Sequence, residues 1–398
     1  MANRVEAPLI CLSANGDTVC RSKEAARRML VTTANSVVEF QRPSADAPWE
    51  ITRNDILSGK HVSALSLDTR TGLLYACIHF KDGLLVSADG GETWEPRNNG
   101  LESEHVYTIL IQHVGDKTVL NVGTEPVMFY RSFDEGKTWK KYPSCLDADE
   151  KEKWLFPRSV PHIKHIAAHP SQPETIYICV EQGDLLKSDN GGETWRSIAS
   201  MDQPDDKFRR DMHRVIFQET DPNEIFLTSG IGLYHSVDGG DHWETLTDIH
   251  FRMGYPDPFF IDPRNPNVMY MIGAGVSPNP DWGKAGTAFP LFLRSRDRGR
   301  TWDDGMNGVR QPVPGNIEAA AMHFSEEAGL ELFMGTSCGE LYTSKDGGHF
   351  WHLITDKIDA VSKGPHFRHF LTPEARKTYE EGLKEYEARV AAEWALIV

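Results

Sequence analysis

An eight-residue motif with the pattern Ser-x-Asp/Asn-x-Gly-x-x-Trp recurs along the chain and constrains its fold more than any other feature. Its tryptophans lie 45 to 59 residues apart, a period that suits one four-stranded sheet with its loops. Such a period predicts a closed ring of similar sheets rather than separate domains. The six complete copies begin at Ser87, Ser132, Ser188, Ser236, Ser295 and Ser344, and an eroded seventh copy spans 44–49.

Each copy has the residues of a tight turn between two strands. The Asp or Asn side chain accepts hydrogen bonds from nearby backbone N–H groups, and the Gly supplies a positive φ. The Trp then buries its ring between neighbouring sheets. Apolar runs precede each copy, as in His61–Leu67, Gly72–Ile78 and Leu84–Ser87, so the chain is expected to form seven four-stranded units.

The motif resembles the Asp-box, or BNR repeat, of sialidases, sortilin-type receptors and photosystem assembly factors of the Ycf48 kind. This resemblance covers about residues 27–355. It implies an all-β fold, a seven-bladed β-propeller whose Asp-box hairpins lie on the outer rim, away from any substrate. We therefore expect residues 1–365 to form the propeller. Residues 366–398 form a helical extension, because Thr372-Pro-Glu begins an Ala-, Glu- and Lys-rich helical pattern.

Charge and cysteine usage limit the partners of the protein. The chain carries 58 Asp and Glu against 42 Lys and Arg, a formal charge of −16, whereas nucleic acids and anionic membranes require a basic face. It has no apolar run of membrane-spanning length and no leader-like segment. Its six cysteines are scattered and lack a CxxC motif. We expect a cytoplasmic protein that binds neither nucleic acid nor membrane.

Four histidines share one position, the start of the innermost strand, in successive blades. Strands at that position line the central channel, so their imidazoles are expected to converge on one divalent transition metal: Fe, Mn, Zn, Ni or Cu. The arrangement is similar in architecture to the four-His iron site of carotenoid-cleavage oxygenases. The predicted metal ligands are His61, His105, His162 and His213.

Residues of the loops around the same mouth are candidates for catalysis and substrate binding. Arginine forks bind anions and aromatic rings form flat walls, so three loops predict an anion site. Its residues are Trp154, Arg158, Phe208, Arg209, Arg210 and Arg252. The predicted catalytic groups are Tyr255, Glu318, His79 and Glu181, with Glu125 in a comparable position. The insertion 275–290 is expected to act as a lid.

These patterns favour a metal-dependent hydrolase, lyase or oxygenase acting on a small carboxylated or aromatic compound. One alternative is a sialidase-like glycoside hydrolase, in which Arg158, Arg210 and Arg252 form the arginine triad and Tyr255 is the nucleophile. Another is a non-catalytic binding or assembly propeller. The C-terminal helix is expected to pack on the propeller, with a homodimer contact as the alternative.

Overall fold

The computed structural model describes residues 8–147, 154, 160–198, 211–248 and 250–397, and they form a seven-bladed propeller. Blades two to six are four-stranded antiparallel sheets whose strands follow one another in chain order. Their strands are β6–β9 (Val62–Leu67, Leu74–Ile78, Leu84–Ser87, Glu95–Pro96), β10–β13 (Val106–Val114, Lys117–Thr124, Phe129–Ser132, Lys140–Tyr142), β14–β17 (His162–His169, Gln172–Glu181, Leu185–Ser188, Arg196–Ser197), β18–β21 (Met212–Gln218, Asp221–Ser229, Gly232–Ser236, Glu244–Thr247) and β22–β25 (Tyr255–Ile261, Met269–Ala274, Leu291–Ser295, Asp303–Asp304).

The first and seventh blades take their innermost strands from the N-terminal segment. That segment supplies β1 (Leu9–Leu12) to blade one and β2 (Val19–Ser22) to blade seven, and both pair in parallel. Blade one continues with β3–β5 (Arg28–Thr32, Val37–Gln41, Glu50–Ile56), and blade seven contains β26–β29 (Ile317–Ser325, Gly329–Thr336, Leu341–Ser344, His352–Thr355). The expected seven blades are confirmed.

Hydrogen bonds within each Asp box hold the outer turn, as the turn beginning at Ser132 shows. Ser132 Oγ donates to Asp134 Oδ1 at 2.8 Å, and Thr138 N donates to Asp134 Oδ1 at 2.9 Å. Gly136, at a φ of 83°, donates its N–H to Ser132 Oγ. Trp139 Nε1 donates to Arg97 O of the preceding blade, so the box also joins two sheets.

Trp49 takes the place of a box tryptophan in the first blade. It is 8% exposed and packs edge-on against Phe333 of blade seven, with ring centroids 6.0 Å apart. At the same junction, Arg42 binds Glu331 through two hydrogen bonds of 3.0 and 2.7 Å, both side chains being buried. The ring is thus closed between blades one and seven by an aromatic pair and an ion pair.

The N-terminal residues 13–18 cross the central channel and fill it, and we call them the channel plug. Asn15 N donates to Ser63 O at 3.0 Å, and Met322 N donates to Thr18 O at 2.7 Å. The buried Arg214 guanidinium donates to Ala14 O at 3.0 Å and to Gly16 O at 3.3 Å. Contacts from opposite sides of the ring therefore close the axis, a feature that the repeat pattern did not predict.

The C-terminal segment lies over the end of the channel where innermost strands begin. A 3₁₀ turn, Pro365–Phe370, is followed by helix α2, Pro373–Ile397, as the sequence predicted. The helix buries four side chains against the propeller, Leu383, Tyr386, Val390 and Trp394. A short helix α1, Asp281–Ala285, lies in the insertion of blade six, where Trp282 stacks on Phe370 of the 3₁₀ turn.

Candidate functional site

A cavity of about 490 Å³ lies at the mouth of the ring, between the propeller and its C-terminal segment. In each blade the second strand ends at this mouth and the first strand of the next blade begins there, so several blades contribute side chains. Its aromatic side chains include Phe80, Tyr255 and Tyr386. Its ionisable side chains are His79, Glu125, Glu181, Asp211, His366, Arg368, His369 and Glu387.

The four predicted metal ligands each have a different neighbour. His61 Nε2 donates to Ser362 O at 2.8 Å, and His105 packs edge-on against Tyr386 with ring centroids 4.9 Å apart. His162 Nε2 lies 3.2 Å from a Glu181 carboxylate oxygen. The expected four-His convergence is corrected, because the rings are held by different neighbours and do not share one ligand group.

His61 and His105 lie in surroundings that favour the neutral imidazole. Burial lowers the pKa of His61 to about 3, with a further lowering by the nearby His79. Burial likewise lowers the pKa of His105 to about 3, with smaller contributions from His79 and Arg389. Both rings stay neutral at pH 7. His61 is a buried, hydrogen-bonded side chain, and His105 is buried against Tyr386.

His213 belongs to a group with two carboxylates, Glu181 and Asp211. One ligand atom from each of the three residues lies within 4.8 Å of the others. Among the described residues, this is the one group of three possible metal ligands with such spacing. A backbone bridge between Glu181 and Asp211 brings blades four and five together at this point. Asp211 was not among the predicted site residues, although its place two residues before His213 was visible in the sequence.

Three of the four predicted catalytic residues reach the cavity, namely His79, Glu181 and Tyr255. Glu318 instead lies beneath the C-terminal segment. It accepts hydrogen bonds from Ser362 Oγ at 2.7 Å and Lys363 N at 3.1 Å, and its carboxylate lies 3.2 Å from His366 Nδ1. Burial raises the pKa of Glu318, but the His366 imidazole and the Lys363 ammonium outweigh burial and hold it at about 2. Glu318 is thus a structural anion that fixes this segment.

A hydrogen-bonded group from two blades and the helix was only partly visible in the sequence. Tyr386 Oη donates to Glu125 Oε2 at 2.7 Å, and His79 Nε2 lies 3.4 Å from the same oxygen. Phe80 stacks on His79 with centroids 4.1 Å apart. The sequence placed His79 and Glu125 in equivalent loops, but the partner on the helix lies 261 residues away from Glu125.

Two buried lysines meet one carboxylate on the channel side of the cavity. Lys164 Nζ lies 2.5 Å from Asp257 Oδ2, and Lys363 Nζ contacts the same oxygen. Burial raises the pKa of Asp257, but the two ammonium groups outweigh it and hold the pKa well below the usual range. Lys164 Nζ also approaches Glu181 Oε2, at 3.4 Å. The sequence had not singled out either lysine.

The predicted anion site is only partly in the described chain. Arg158, Phe208, Arg209 and Arg210 lie outside the described residues. Arg252 lies near the outer edge of blade six, where its guanidinium binds Asp304 Oδ2 and Trp302 O, each at 2.9 Å. Trp154 is 3% exposed and belongs to the hydrophobic core. Both are corrections, because Arg252 is engaged in an ion pair with Asp304 and Trp154 is packed in the core, and neither lines the cavity.

The expected lid forms a wall of the cavity. Residues 277–280 of the insertion line it, and Trp282 behind them is 1% exposed.

No helix in the described part of the chain is long and apolar enough to cross a membrane. All six cysteines lie in described segments and are free thiols.

Comparisons with known proteins agree with the architecture. The family model described as Sortilin, neurotensin receptor 3 (Sortilin-Vps10) matches residues 129–257. A probable oligoxyloglucan-reducing end-specific xyloglucanase of Neosartorya fischeri is 22% identical over 275 residues. That match covers 61% of this chain and 32% of the xyloglucanase, so the chain spans about a third of the length of this relative.

Two solved structures have the same fold over most of this chain. An ancestral GH74 enzyme superposes with a TM-score of 0.57 at 17% identity, covering 75% of this chain and 39% of the enzyme. Ycf48 bound to D1 peptide superposes with a TM-score of 0.51 at 16% identity, covering 84% of this chain and 92% of Ycf48. Six box turns and seven blades make this chain a seven-bladed β-propeller with Asp-box turns, and the matched family model spans about a third of it.

Proposed function

We propose that the mouth cavity binds an oligosaccharide and that the protein hydrolyses one of its glycosidic bonds. The similarity to a xyloglucanase supports this reaction class, although the match spans a third of that enzyme. The cavity, at about 490 Å³, is within the ~300–1,000 Å³ range of small-ligand sites. Its lining combines aromatic side chains and carboxylates. Aromatic rings pack on the apolar C–H faces of a sugar, and carboxylates accept hydrogen bonds from its hydroxyl groups.

The observation that carries this proposal is the meeting of carboxylates from three neighbouring blades at one cavity. Glu125 follows β11 of blade three, Glu181 ends β15 of blade four, and Asp211 precedes β18 of blade five. Glycoside hydrolysis requires a carboxylic acid that protonates the leaving oxygen and a second carboxylate on the other side of the bond. The ring geometry of the propeller brings carboxylates of three successive blades to one cavity.

Charge also favours a neutral substrate over an anionic one. Among the described lining residues, four carry a carboxylate and one, Arg368, carries a guanidinium. Such a wall repels a carboxylated compound, whereas sugar hydroxyls donate hydrogen bonds to carboxylate oxygens. The glycoside hydrolase alternative therefore fits the described lining better than the small anionic substrate expected from the sequence.

We assign the proton-donor role to Glu125 and the water-activating role to the Glu181–Asp211 pair. Tyr386 and His79 fix the orientation of the Glu125 carboxyl group, because both contact its Oε2 atom. Lys164 Nζ lies 3.4 Å from Glu181 Oε2, and a nearby ammonium group favours the ionised form of a carboxylate. An ionised carboxylate is the form that removes a proton from an attacking water.

Release of reducing ends from xyloglucan oligosaccharides and other β-linked gluco-oligosaccharides tests this proposal. Glu125→Gln and Glu181→Gln are expected to lower the rate ~10²-fold or more while leaving sugar binding within a few-fold. Glu193→Gln, an exposed carboxylate in an outer box turn, is the matched control and should retain full activity. Absence of both hydrolysis and binding across such a panel would refute the proposal.

The superposition on Ycf48 bound to D1 peptide supports a second candidate, a non-catalytic peptide-binding propeller. The superposed part covers 84% of this chain and 92% of Ycf48. In that case the same cavity binds an extended peptide, and an array of peptides tests for it directly. Peptide binding without hydrolysis of any oligosaccharide would favour this candidate.

A further inference from the structure

We propose that Glu181, Asp211 and His213 together hold one divalent transition-metal ion at the wall of the mouth cavity. This site differs from the four-His site expected from the sequence, and shares only His213 with it. The proposal concerns metal binding alone and does not depend on which substrate the cavity accepts. With the ion bound, Glu181 and Asp211 would serve as its ligands in place of the water-activating role proposed above.

The three side chains are held by the frame of two adjacent blades. Their ligand atoms lie within 4.8 Å of one another, and the residues are 1%, 7% and 0% exposed in chain order. Ligands about 2.0–2.2 Å from a tetrahedral Zn²⁺ are separated by about 3.3 Å. The contact between His213 Nε2 and Asp211 Oδ2, at 3.4 Å, already has that separation. Glu181 is the third member of the group and lies within 4.8 Å of both.

A backbone contact fixes the tautomer of His213. Its Nδ1 lies 2.5 Å from Pro256 O, and because a carbonyl oxygen only accepts, Nδ1 carries the hydrogen. In the neutral ring Nε2 is then an unprotonated acceptor, and it faces Asp211, which is also an acceptor. Metal-binding histidines characteristically donate their other N–H to a backbone carbonyl in this way. A cation between the two acceptors replaces their repulsion with two coordinate bonds.

The charge of the surroundings also favours a cation. Asp211 Oδ1 is buried and has no hydrogen-bond partner among the described residues, and no described lysine or arginine forms an ion pair with Asp211. Lys164 and Lys363 instead meet at Asp257, with Lys164 also near Glu181. The two lysines therefore offset Asp257 and Glu181, and the charge of Asp211 is left without a basic partner in the described chain.

The position of the site leaves room for a further ligand. Glu181 and Asp211 both line the cavity, so a metal held by them faces it. Three protein ligands with one open position are the arrangement of catalytic rather than structural zinc sites. The nitrogen and oxygen donors together suit Zn²⁺, Mn²⁺ or Fe²⁺.

Titration of tag-free protein with Zn²⁺, followed by calorimetry and elemental analysis of the dialysed complex, tests the site. One Zn²⁺ per chain is expected, and Co²⁺ should give a visible absorption band from a low-symmetry site. Asp211→Asn and His213→Gln should each weaken the affinity ~10-fold or more. The matched controls are His61→Gln and His105→Gln, which change buried imidazoles at the same strand position outside the group.

Each outcome of this experiment decides the assignment. Wild-type affinity in both Asp211→Asn and His213→Gln would overturn it, as would absence of a Zn²⁺ site in the parent protein. Equal loss in the His61 and His105 controls would replace it with the four-His site. Circular dichroism of each variant before titration separates loss of a ligand from loss of fold, and the measurement contains no sugar, so a failure of the proposed hydrolysis leaves it unaffected.

Discussion

Tyr386 of the C-terminal helix donates a 2.7 Å hydrogen bond to Glu125 of the third blade, and this bond joins two parts of the chain that are 261 residues apart. Both side chains are buried, at 8% and 7% exposure, and both line the mouth cavity. The helix is therefore part of the site rather than an appendage to the propeller. It also fixes the position of the carboxyl group to which we assign the proton-donor role.

Tyr386→Phe is expected to lower the rate of hydrolysis. The phenol donates to Glu125 Oε2, so its removal leaves that carboxyl group less firmly oriented and should lower the rate ~10-fold with little change in sugar binding. Tyr130→Phe, a buried tyrosine whose Oη accepts a bond from Glu102 N, is the control and should leave the rate unchanged. An unchanged rate in Tyr386→Phe would contradict the assignment of Glu125.

The pH dependence of folding should reflect the buried imidazole of His61. Its pKa in the folded protein is about 3, whereas an unfolded histidine titrates near 6.5. Between these values the unfolded state binds the extra proton, so stability is lost as pH falls below 6.5. At pH 5 this loss is about 2 kcal/mol for one such histidine.

Urea unfolding of His61→Gln at pH 7 and pH 5 measures this contribution. The glutamine amide can replace the donor to Ser362 O, and the variant should lose about 2 kcal/mol less than the parent between the two values. His250→Gln, on the surface, should lose as much as the parent. The same loss in all three proteins would mean that His61 does not resist protonation.

Arg214→Met is expected to loosen the channel plug. The guanidinium donates to two plug carbonyls, and Asp17 of the plug also lies in its field. Removing it leaves these acceptors buried without their donor, which should cost about 3–5 kcal/mol of unfolding free energy. Hydrogen exchange should become faster at the backbone N–H groups of Asn15 and Leu65. Asn15 N donates to Ser63 O, and Leu65 N donates to Ser13 Oγ of the plug. Arg196→Met, whose ion pair with Asp241 is half exposed, should cost less than about 1 kcal/mol.

Trp394→Ala should release the end of the C-terminal helix from the propeller. The indole is 7% exposed in a core that includes Val390, and its removal leaves a cavity that should cost about 3–5 kcal/mol. Leu396→Ala provides the control, because that side chain is 90% exposed and should have almost no effect. Thermal unfolding monitored by circular dichroism compares the two. Equal melting temperatures would show that the helix is not fastened by Trp394.

The sequence by itself determined the fold, because the features that specify it are local. In the box that begins at Ser132, the capping bonds join residues two to four positions apart, so the pattern of the turn is complete within eight letters. The spacing of the tryptophans then gave the number of blades, including the eroded box at Trp49. The helix that follows Thr372 was equally visible, since its cap and composition are contiguous.

The tertiary structure alone decided what fills the ring and which side chains meet. The strand starts were correctly placed, yet a strand pattern carries no information about the contents of the axis. Arg214 reaches Ala14 across 200 residues, and His61 reaches Ser362 across 301. These long-range contacts bring the N-terminal segment to the innermost strands and the C-terminal segment to the mouth. Glu181 and Asp211 come together because two separate blades are joined edge to edge by one backbone bridge, a pairing that no spacing in the sequence encodes.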